Sequence, residues 1–548
     1  MWPPVAIGLL IVGGALSLGG APPVGELRIG IARLPESLDP IQAGTGPGLI
    51  VSRAVYQGLV EVGERGDIEP GLASHWSVSR DGLTWTFRLR SDVQFHNGTP
   101  LTADVVVTSL SRHLGLEEPG ARAPVVPWGR LFSGSQAIVR EVRRGEAGTV
   151  QIQLTQPFSP LLGVLAHPGL AIALTPPETA AAPIGTGPYR VADRGAGRLT
   201  LEATARPRGE SPRSARLIIE EFGDDAAALA ELAPGGRLHV YFPQSPPTWA
   251  GLGLQTLSAP TWQVGWLALR TREGLLTRKP VRQAIGFALD PALVGPALGR
   301  RARPWGSYLP PGTWALRPLP APTHDPIRAR RLLADARVTQ GTLALLAAEG
   351  SSGPDPARLT EAIRLSLAVA GLTLQVRQVG GEAYLQALRE GEAELALFEH
   401  TVEIDDPHFA LRPLVGSEFA VRGSATNVAF YRNPLVDGLL LRGSQFAFRP
   451  ERLRLYQRLQ AQLAEELPYI PLYVRQQWAV ARPTVRGLRL DPAGRHRLDR
   501  VWLELPPEPA PPPPAAPPVP APPPALPVPA PPPALPAPSL PPPPDDLQ

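Results

Sequence analysis

The stretch Asp355–Val379, DPARLTEAIRLSLAVAGLTLQVRQV, contains one complete helix-to-strand unit and decides the class of fold. Its first half carries apolar residues three and four positions apart, which predicts an amphipathic helix: Leu359, Ile363, Leu367 and Ala370. Gly371 ends that helix, and apolar residues in an extended run predict a strand after it: Leu372, Leu374, Val376 and Val379. A helix that leads directly into a strand is typical of α/β folds.

The same interleaving continues towards both ends of the chain. Alternating apolar residues predict strands at 27–31, 85–89 and 150–154, and another after the turn IGTGPYRVAD (Ile184–Asp193). Helical spacing predicts helices at 51–60, 103–114, 280–289, 327–336 and 453–467. For the second of these helices, Thr102 is the expected N-cap. We therefore expect an α/β fold with mixed sheets.

The composition excludes several kinds of site. The chain has 548 residues and no cysteine, so disulfides, thiolate metal sites, a cysteine nucleophile and a lipid-modified N-terminal cysteine are excluded. Its 53 basic and 49 acidic residues give a net charge of +4, which is too small and too dispersed to indicate nucleic-acid binding. A P-loop, a G-x-S-x-G elbow and an H-E-x-x-H helix are all missing. We predict that the protein is not an enzyme, and we keep a carboxylate hydrolase as a third hypothesis because paired carboxylates converge in space rather than in sequence.

The two ends of the chain differ from its body. Residues 1–24 are nearly free of polar side chains and end in small residues, which predicts a secretory signal peptide. A retained membrane anchor is the alternative. The segment has about 14 apolar residues, fewer than the roughly 20 that span a bilayer. Residues 506–548 contain 24 prolines in 43 residues. This tail is expected to be an extended, disordered segment that serves as a spacer or, alternatively, as a docking ligand.

One segment concentrates polar side chains, namely Phe398–Phe409, FEHTVEIDDPHF, called the acidic segment below. It follows the apolar alternation of Leu395 and Leu397, so we expect it where a strand ends, which is where open α/β sheets place ligand contacts. A solvated loop whose turn is set by Asp406 before Pro407 is the simpler interpretation. A metal site made of His400, Glu403 and His408 is a further alternative, but their spacing is not diagnostic.

The order of several phrases resembles one family, the family 5 extracellular solute-binding proteins of the oligopeptide, dipeptide and nickel-binding group, which deliver ligands to ABC importers. The most specific phrase is AVYQGLVEVGERGDIEPGLASHWSVSRDGLTWTFRLRSDVQFHNGTPLTADVV at 54–106. The others follow in the expected order over about 450 residues: LPESLDPIQA before it, then IGTGPYRV, KPVRQAIGFALDPALV, YLPPG, DPIRARRLLADA and DDPHF.

This resemblance implies a two-lobed fold of the periplasmic-binding-protein type with an extra inserted domain. Carried onto this chain, the first lobe comprises 25–50, 180–255 and 478–505, the inserted domain 51–179 and the second lobe 256–477. Ligand is expected to bind between the lobes and to select the closed state by touching both of them.

The resemblance also implies ligand-binding residues. In peptide-binding members an aspartate holds the α-ammonium of the peptide. This aspartate lies three residues before an acidic residue that is followed by proline. Here that acidic-Pro pair is Asp406-Pro407, and the corresponding residue is Glu403. Arg270, in WLALRT, stands where the family usually has asparagine, so we expect either a contact with an anionic group or a surface side chain. Rigid aromatic rings suit a pocket for varied side chains, although most tryptophans fill cores. The predicted ligand-binding residues are Glu403, Asp405, Asp406, Arg270, Trp266 and Trp305.

The function that this resemblance implies is the binding of short peptides or peptide-like solutes as the extracytoplasmic component of an ABC importer. We expect a monomer that has the importer's membrane subunits as partners and that needs no cofactor, metal or nucleic acid. The alternative is an envelope scaffold or a binding protein for a non-peptide solute, such as a metal chelate or an oligosaccharide, with the proline-rich tail as docking segment or spacer.

Overall fold

The fold is seen in a computed structural model that describes residues 25–43, 46–63, 66–116, 137–174, 184–204, 211–248, 253–319, 323–338, 341–350, 353–504 and 530. The predicted signal or anchor at 1–24 lies outside the described residues, as does nearly all of the tail at 506–548. Among the helices that are described, none combines the length and the apolar character needed to cross a bilayer.

Helices and strands alternate along the described chain. The strands are β1 (Glu26–Ile31), β2 (Val60–Val62), β3 (Ile68–Pro70), β4 (Ala73–Val78), β5 (Thr84–Leu89), β6 (Val139–Arg144), β7 (Thr149–Leu154), β8 (Tyr189–Gly195), β9 (Arg198–Ala203), β10 (Arg216–Glu221), β11 (Val240–Phe242), β12 (Gln255–Leu269), β13 (Ala302–Pro304), β14 (Gly341–Ala348), β15 (Leu372–Val379), β16 (Leu395–Thr401), β17 (Tyr469–Ala481), β18 (Val485–Arg486) and β19 (Trp502–Leu503). The helices are α1 (Pro40–Ala43), α2 (Pro47–Val55), α3 (Ala103–Leu114), α4 (Leu161–Leu165), α5 (Asp225–Leu232), α6 (Lys279–Ala288), α7 (Pro291–Leu298), α8 (Pro326–Asp335), α9 (Pro356–Val369), α10 (Gly381–Glu390), α11 (Pro407–Val415), α12 (Pro434–Gln445) and α13 (Arg449–Glu466).

The helix-to-strand unit at 355–379 is confirmed. Asp355 caps α9 by accepting a hydrogen bond from the backbone N–H of Ala357 at 2.9 Å. Gly371 has a φ of 87°, a backbone conformation that glycine adopts without strain, and β15 begins at the next residue. Because β15 runs parallel to β14, the connecting helix α9 forms a β-α-β crossover.

The helix predicted at 51–60 is wrong at both ends. The structure forms α2 at Pro47–Val55, and Val60 already belongs to β2, which pairs with β3. Gly58 separates the two elements, and a Cβ on it would lie only 2.7 Å from the carbonyl oxygen of Val60 and 2.8 Å from that of Leu165. The close packing of these backbones, which a helical pattern does not reveal, therefore ends the helix early.

Two long antiparallel strands join the sheets of two lobes. β12 and β17 pair from Gln255–Ala481 to Ala268–Tyr469, with an irregularity between Pro260 and Val264. On one side β17 pairs with β11 and the sheet continues through β1, β10, β9 and β8; on the other side β12 pairs with β16, followed by β14 and β15. The irregularity thus lies where the two lobes meet.

Separate apolar clusters support the two lobes and a smaller third body. The first-lobe cluster packs β1, β9 and β10 against α2 and includes Val51, Ala54 and Val55. The inserted-domain cluster covers the four-stranded sheet β4-β5-β7-β6 with α3. The second-lobe sheet has a cluster on each face, because neighbouring β12 residues such as Trp266 and Leu267 point to opposite sides. The domain boundaries from the sequence stay predictions, and the predicted boundary at 50/51 falls within α2.

Candidate functional site

The acidic segment lies beside the irregularity in β12. It begins inside β16 rather than after it, since His400 and Thr401 pair with Val264 and Gln263 of β12. The backbone N–H of Val402 then donates to the carbonyl of Trp262 at 3.0 Å. The loop 402–406 therefore leaves the second-lobe sheet at the junction of the two lobes.

Asp406 has a structural role at the end of this loop. Its carboxylate accepts a hydrogen bond from the backbone N–H of His408 at 2.9 Å and so caps α11. The same oxygen, Oδ1, lies 2.7 Å from Nη2 of Arg452 in an ion pair whose side chains are 6% and 8% exposed. Both interactions hold the backbone that carries Glu403 and Asp405, and a ligand contact by Asp406 itself stays a prediction.

Asp405 is buried and unpaired. The residue is 6% exposed, and its carboxylate makes no hydrogen bond or ion pair with a described residue. Burial raises the pKa of this carboxyl to about 7, with Arg495 opposing the shift and Asp406 adding to it. Gly66, in the β2–β3 turn, faces it so closely that a Cβ there would lie 3.1 Å from Oδ2.

Glu403 is a second carboxylate without a partner. Its Oε2 atom is buried, and the side chain forms no hydrogen bond or ion pair with the described residues. Burial alone raises the pKa of this carboxyl to about 7. Glu403 and Asp405 lie two residues apart in sequence at the junction of the lobes. With a pKa of about 7, each carboxyl group is partly protonated at neutral pH.

The first lobe contributes a charged loop to the same place. Arg495, which is 3% exposed on its side chain, lies 3.5 Å from Oδ1 of Asp491, and its guanidinium sits 5.2 Å from the ring centroid of Trp262. The carbonyl of Pro492 accepts a hydrogen bond from the backbone N–H of Trp262 at 3.0 Å. The charges of this loop act on Asp405: Arg495 lowers the pKa of its carboxyl group and Asp491 raises it.

The inserted domain also contacts the acidic segment. Ile404 is 1% exposed and belongs to the apolar cluster of the inserted domain, where a Cβ on Gly163 would lie 3.2 Å from its Cγ2. Asp67 of the β2–β3 turn forms an ion pair with Arg449 of α13, and the backbone N–H of Ser159 donates to the carbonyl of Ser444 at 2.7 Å. The loop 402–406 thus packs against the inserted domain through Ile404 and Asp405.

Residues 67–420, more than half of the chain, match the family model for “Bacterial extracellular solute-binding proteins, family 5 Middle”. The chain belongs to this family of extracellular solute-binding proteins.

Relatives of this solute-binding protein cover most of its length. It is 28% identical over 474 residues to “Probable di/tripeptide-binding protein 5” of Pseudomonas aeruginosa, covering 80% of this chain and 88% of that protein. It is 27% identical over 504 residues to “Heme-binding protein A” of Haemophilus influenzae, covering 82% of this chain and 88% of that protein. Among solved structures, HbpA2 from Haemophilus parasuis is 25% identical, with a TM-score of 0.78 over 88% of this chain and all of that one. This match confirms the two-lobed α/β fold.

The solute-binding protein does not bring Arg270 to the carboxylates. Arg270 follows the last residue of β12, seven residues from Gln263, or roughly 23 Å along a strand. Its Nη1 donates to the carbonyl of Gly391 at 2.5 Å, and Glu394 lies 3.8 Å from Nη2. Arg270 is therefore already paired with its surroundings, and a ligand role for it stays a prediction.

The two predicted tryptophans lie in the second-lobe core. Trp266 is 1% exposed and packs against Tyr308 and Tyr469, with ring centroids 5.6 and 6.0 Å apart. Trp305 is partly buried against the same cluster and donates from its indole N–H to the carbonyl of Leu309 at 3.0 Å. Both contacts are those of core residues, and a ligand contact by either ring stays a prediction.

A cavity of about 590 Å³ lies elsewhere, between the inserted domain and β8–β9 of the first lobe. None of the residues predicted to bind ligand lines it. Its arginines are paired within the protein, because Arg90 donates from Nε to the carbonyl of Gly71 at 2.8 Å and Arg190 lies 2.8 Å from Glu202. We therefore place the candidate site at the unpaired carboxylates rather than in this cavity.

Metal binding by the acidic segment finds no support. No group of three or more His, Cys, Asp or Glu side chains suited to a metal occurs among the described residues. His408 is 3% exposed and stands edge-on to Phe158, at 5.6 Å between ring centroids. Burial lowers the pKa of His400 to about 4, so this ring is neutral at neutral pH.

Sequence reasoning missed Arg53, Asp491 and Arg495. Arg53 comes from α2, whereas Asp491 and Arg495 come from the loop that follows β18, more than 400 residues further along the chain, and both of them act on the pKa of Arg53. No local pattern marks either stretch. The one usable signal is the phrase DPAGR at 491–495, where an aspartate and an arginine four residues apart flank a turn.

Proposed function

We propose that this protein binds short peptides in the cleft between its lobes, as the extracytoplasmic component of an ABC importer, and that Glu403 and Asp405 receive the amino terminus of the peptide. One observation carries the proposal: Asp405 is buried, the Oε2 atom of the half-buried Glu403 is buried too, and neither carboxylate has a partner among the described residues. A buried carboxylate without a hydrogen-bond donor is costly. An ammonium group supplies three donors and a compensating charge, so it suits this position.

The environment favours an amine over a metal ion. Calcium takes six to eight oxygen ligands and magnesium demands near-octahedral geometry. Among the described residues, these two carboxylates belong to no group of three or more acidic or histidine side chains suited to a metal, so they match a single ammonium better. The nearby Arg495 belongs to the first lobe and keeps the region from an excess of negative charge when the cleft is empty.

Closure of the lobes follows from the same contacts. Glu403 and Asp405 extend from the second lobe, whereas Arg495 comes from the loop after β17 and Gly66 from the inserted domain. A ligand that touches both sides binds the closed state more tightly than the open one and shifts the population towards it. Binding and release then need no chemistry on the ligand, in keeping with a binding protein that has no enzymatic activity.

The two relatives reported above are named for different ligands. One is named for di- and tripeptides and another for haem. Haem carries carboxylates and no amine, so two unpaired acidic groups at the junction of the lobes favour the peptide. The proposal also includes the division of the chain into a first lobe, formed by 25–50, 180–255 and 478–505, and a second lobe, formed by 256–477. We further propose that residues 1–24 direct export, that the protein is a monomer and that the tail serves as a spacer or docking segment.

A peptide library tests it. Purified protein is mixed with a randomised tripeptide library, unbound peptide is removed by ultrafiltration, and bound peptide is quantified by mass spectrometry. We expect retention of peptides with a free amino terminus and loss of retention after N-acetylation. Glu403→Gln keeps the shape but removes the charge, and it should lower retention by about tenfold or more. Retention of none of the peptides, or equal retention of free and acetylated ones, would overturn the proposal.

A further inference from the structure

The irregularity in β12 is a bulge that contains Trp262. The β12–β17 ladder passes from the pair Pro260–Gln476 to the pair Val264–Val474, so three residues of β12 lie opposite one residue of β17. Trp262 is the middle one of the three and is 5% exposed. Because the bulge takes it out of the ladder, its backbone N–H and carbonyl groups bond to other segments.

The backbone of Trp262 connects two loops. Its N–H donates to the carbonyl of Pro492 at 3.0 Å, and its own carbonyl accepts from the N–H of Val402 at 3.0 Å. Pro492 belongs to residues 491–496, called the strap below, and Val402 directly precedes Glu403. A displacement of the strap is therefore passed through one residue to the loop that carries the unpaired carboxylates.

The strap is anchored in the first lobe and reaches the second. Val485 and Leu498, which flank it in the sequence, are buried in the first-lobe cluster, and the ring of His496 stacks on that of Phe242 in β11 at 4.8 Å between centroids. In the middle of the strap, Ala493 packs against the second-lobe cluster on one face of the sheet. The strap is thus a first-lobe segment that contacts the core of the second lobe.

The side chain of Trp262 is held from both lobes. The guanidinium of Arg495, in the strap, lies 5.2 Å from the centroid of its ring, and the face of an indole attracts a cation. On the other side, the indole N–H donates to the carbonyl of Pro311 at 3.1 Å, in the second-lobe segment between β13 and α8. The ring is therefore fixed between a cation of the first lobe and a carbonyl of the second.

We propose that Trp262 is a positioning residue that couples the strap to the loop 402–406, so that Glu403 and Asp405 take their ligand-binding positions when the strap holds Trp262. This inference rests on the proposed function, in which these two carboxylates receive the amino terminus of the peptide. Trp262 acts through Val402 rather than by touching the ligand. Rotation of one lobe against the other moves the strap, and the loop then follows.

Substitution of Trp262 tests the effect on binding. The randomised tripeptide library is applied to each variant, and bound peptide is quantified by mass spectrometry after ultrafiltration. Trp262→Leu removes the ring and the indole N–H and should lower retention by about tenfold. Trp262→Phe keeps a ring for Arg495 and should lower it by about threefold. Arg495→Lys added to Trp262→Leu should lower retention no further than Trp262→Leu alone, because both residues act through one contact.

The distance between the lobes gives a second readout. The natural chain has no cysteine, so Ala226→Cys on α5 and Ala334→Cys on α8, both exposed, introduce the only two sites for spin labels. Electron–electron double resonance then measures the distribution of distances between them. We expect the unliganded Trp262→Leu variant to give a broader distribution than the protein with Trp262, and Trp262→Phe to give an intermediate one.

Trp85→Leu is the matched control, because Trp85 is 4% exposed and lies in the inserted-domain cluster. It should lower the melting temperature while retention stays within about twofold and the distances stay unchanged. A change of retention or of distances without the other in Trp262→Leu, or no change in either, overturns the coupling; Trp262→Phe decides if the leucine variant does not fold. Retention of the wild-type protein is measured first, and its absence overturns the proposed function itself.

Discussion

Arg452 of α13 and Asp406 at the start of α11 form a buried ion pair, with 2.7 Å between Nη2 and Oδ1. Arg452 also donates from Nε to the carbonyl of Gly443 at 2.7 Å, and its guanidinium lies 5.2 Å from the ring centroid of Trp314. The pair therefore anchors the end of the acidic segment to the second-lobe core, three residues after Glu403.

Replacing Arg452 with methionine should destabilise the protein strongly. The variant keeps much of the apolar packing but leaves the Asp406 carboxylate buried without its partner, which costs about 3–5 kcal/mol. Urea titration followed by circular dichroism measures this loss as a fall in the free energy of unfolding.

Two further variants control the Arg452 experiment. Arg454→Met, on the same helix with a side chain that is 79% exposed, should change stability by less than about 1 kcal/mol. The double variant Arg452→Met with Asp406→Asn removes the unpaired charge and keeps a capping side chain, so it should regain part of the loss. Equal losses in the single and double variants would show that the charge is not the cause.

Peptide affinity should depend on pH through Glu403 and Asp405. Burial raises the pKa of both carboxyl groups to about 7, and an ammonium ligand binds their ionised forms. Binding therefore releases protons, and affinity should fall as the pH drops from about 7.5 to 5.5. Above about pH 8 it should fall again, because the peptide amine loses its proton. Calorimetric titration with the tripeptide library at several pH values gives this profile.

Glu403→Gln separates the two carboxyl groups in that profile. It should bind more weakly at pH 7.5 and show a shallower decline towards pH 5.5, since one titrating group is gone. The stability of the fold should also depend on pH. A carboxyl group whose pKa is raised in the folded state stabilises the fold at low pH, and this contribution is lost as the pH rises through about 7. The unliganded variant should therefore lose less stability than the wild type between pH 5 and 8. A steeper or identical pH dependence in Glu403→Gln would contradict the assignment.

Ile404 should favour the closed state. Its side chain is 1% exposed within the inserted-domain cluster although it belongs to the acidic segment of the second lobe. Under the proposed closure of the lobes, opening of the cleft would withdraw Ile404 from that cluster, so Ile404→Ala would remove apolar contacts that exist mainly in the closed state. We expect a larger radius of gyration in small-angle scattering of the unliganded protein and a loss of peptide affinity of about tenfold or more.

Ile152→Ala is the matched control for Ile404. Ile152 is 0% exposed in the same cluster but belongs to β7, so its contacts lie within the inserted domain itself. This variant should lower the melting temperature while peptide affinity and radius of gyration stay close to wild type. The same affinity in the Ile404 variant as in wild type would remove Ile404 from the closure.

Much of the fold could be predicted where local signals coincide. The spacing of apolar residues and the cap at Thr102 placed α3 correctly at Ala103–Leu114, and Thr102 accepts from the backbone N–H of Val105 at 3.4 Å. α2 was misplaced because its end depends on Gly58, where distant backbones approach. A pattern within a dozen residues contains no information about such contacts.

The site shows the same limit. The acidic segment stands out in the sequence because its charges are adjacent, and the family resemblance assigned Glu403 a role. The sequence could not separate Asp406, which is bound to Arg452, from Asp405, which has no hydrogen bond or ion pair with a described residue, because that difference depends on a helix 46 residues away. The surroundings of Arg53 could not be predicted either, since some of the charges that act on it come from the loop that follows β18, more than 400 residues further along the chain.

Gly185, in the IGTGPY turn, should tolerate no side chain. A Cβ on this residue would lie 2.0 Å from the carbonyl oxygen of Val55 and 2.8 Å from Cδ1 of Tyr56. The turn lies against the end of α2, where the backbone N–H of Gly187 donates to the same carbonyl at 2.8 Å. Gly185→Ala must therefore displace backbone, and we expect a loss of about 3 kcal/mol or more in the free energy of unfolding.

Gly195→Ala distinguishes this clash from a general intolerance to alanine. Gly195 is exposed at the end of β8, has no atom within 4 Å of a Cβ position and does not require a positive φ. Alanine there reduces the conformational entropy of the unfolded chain and should leave stability unchanged or raise it by about 0.5 kcal/mol. Full stability in Gly185→Ala would show that the turn is not held against α2 in solution.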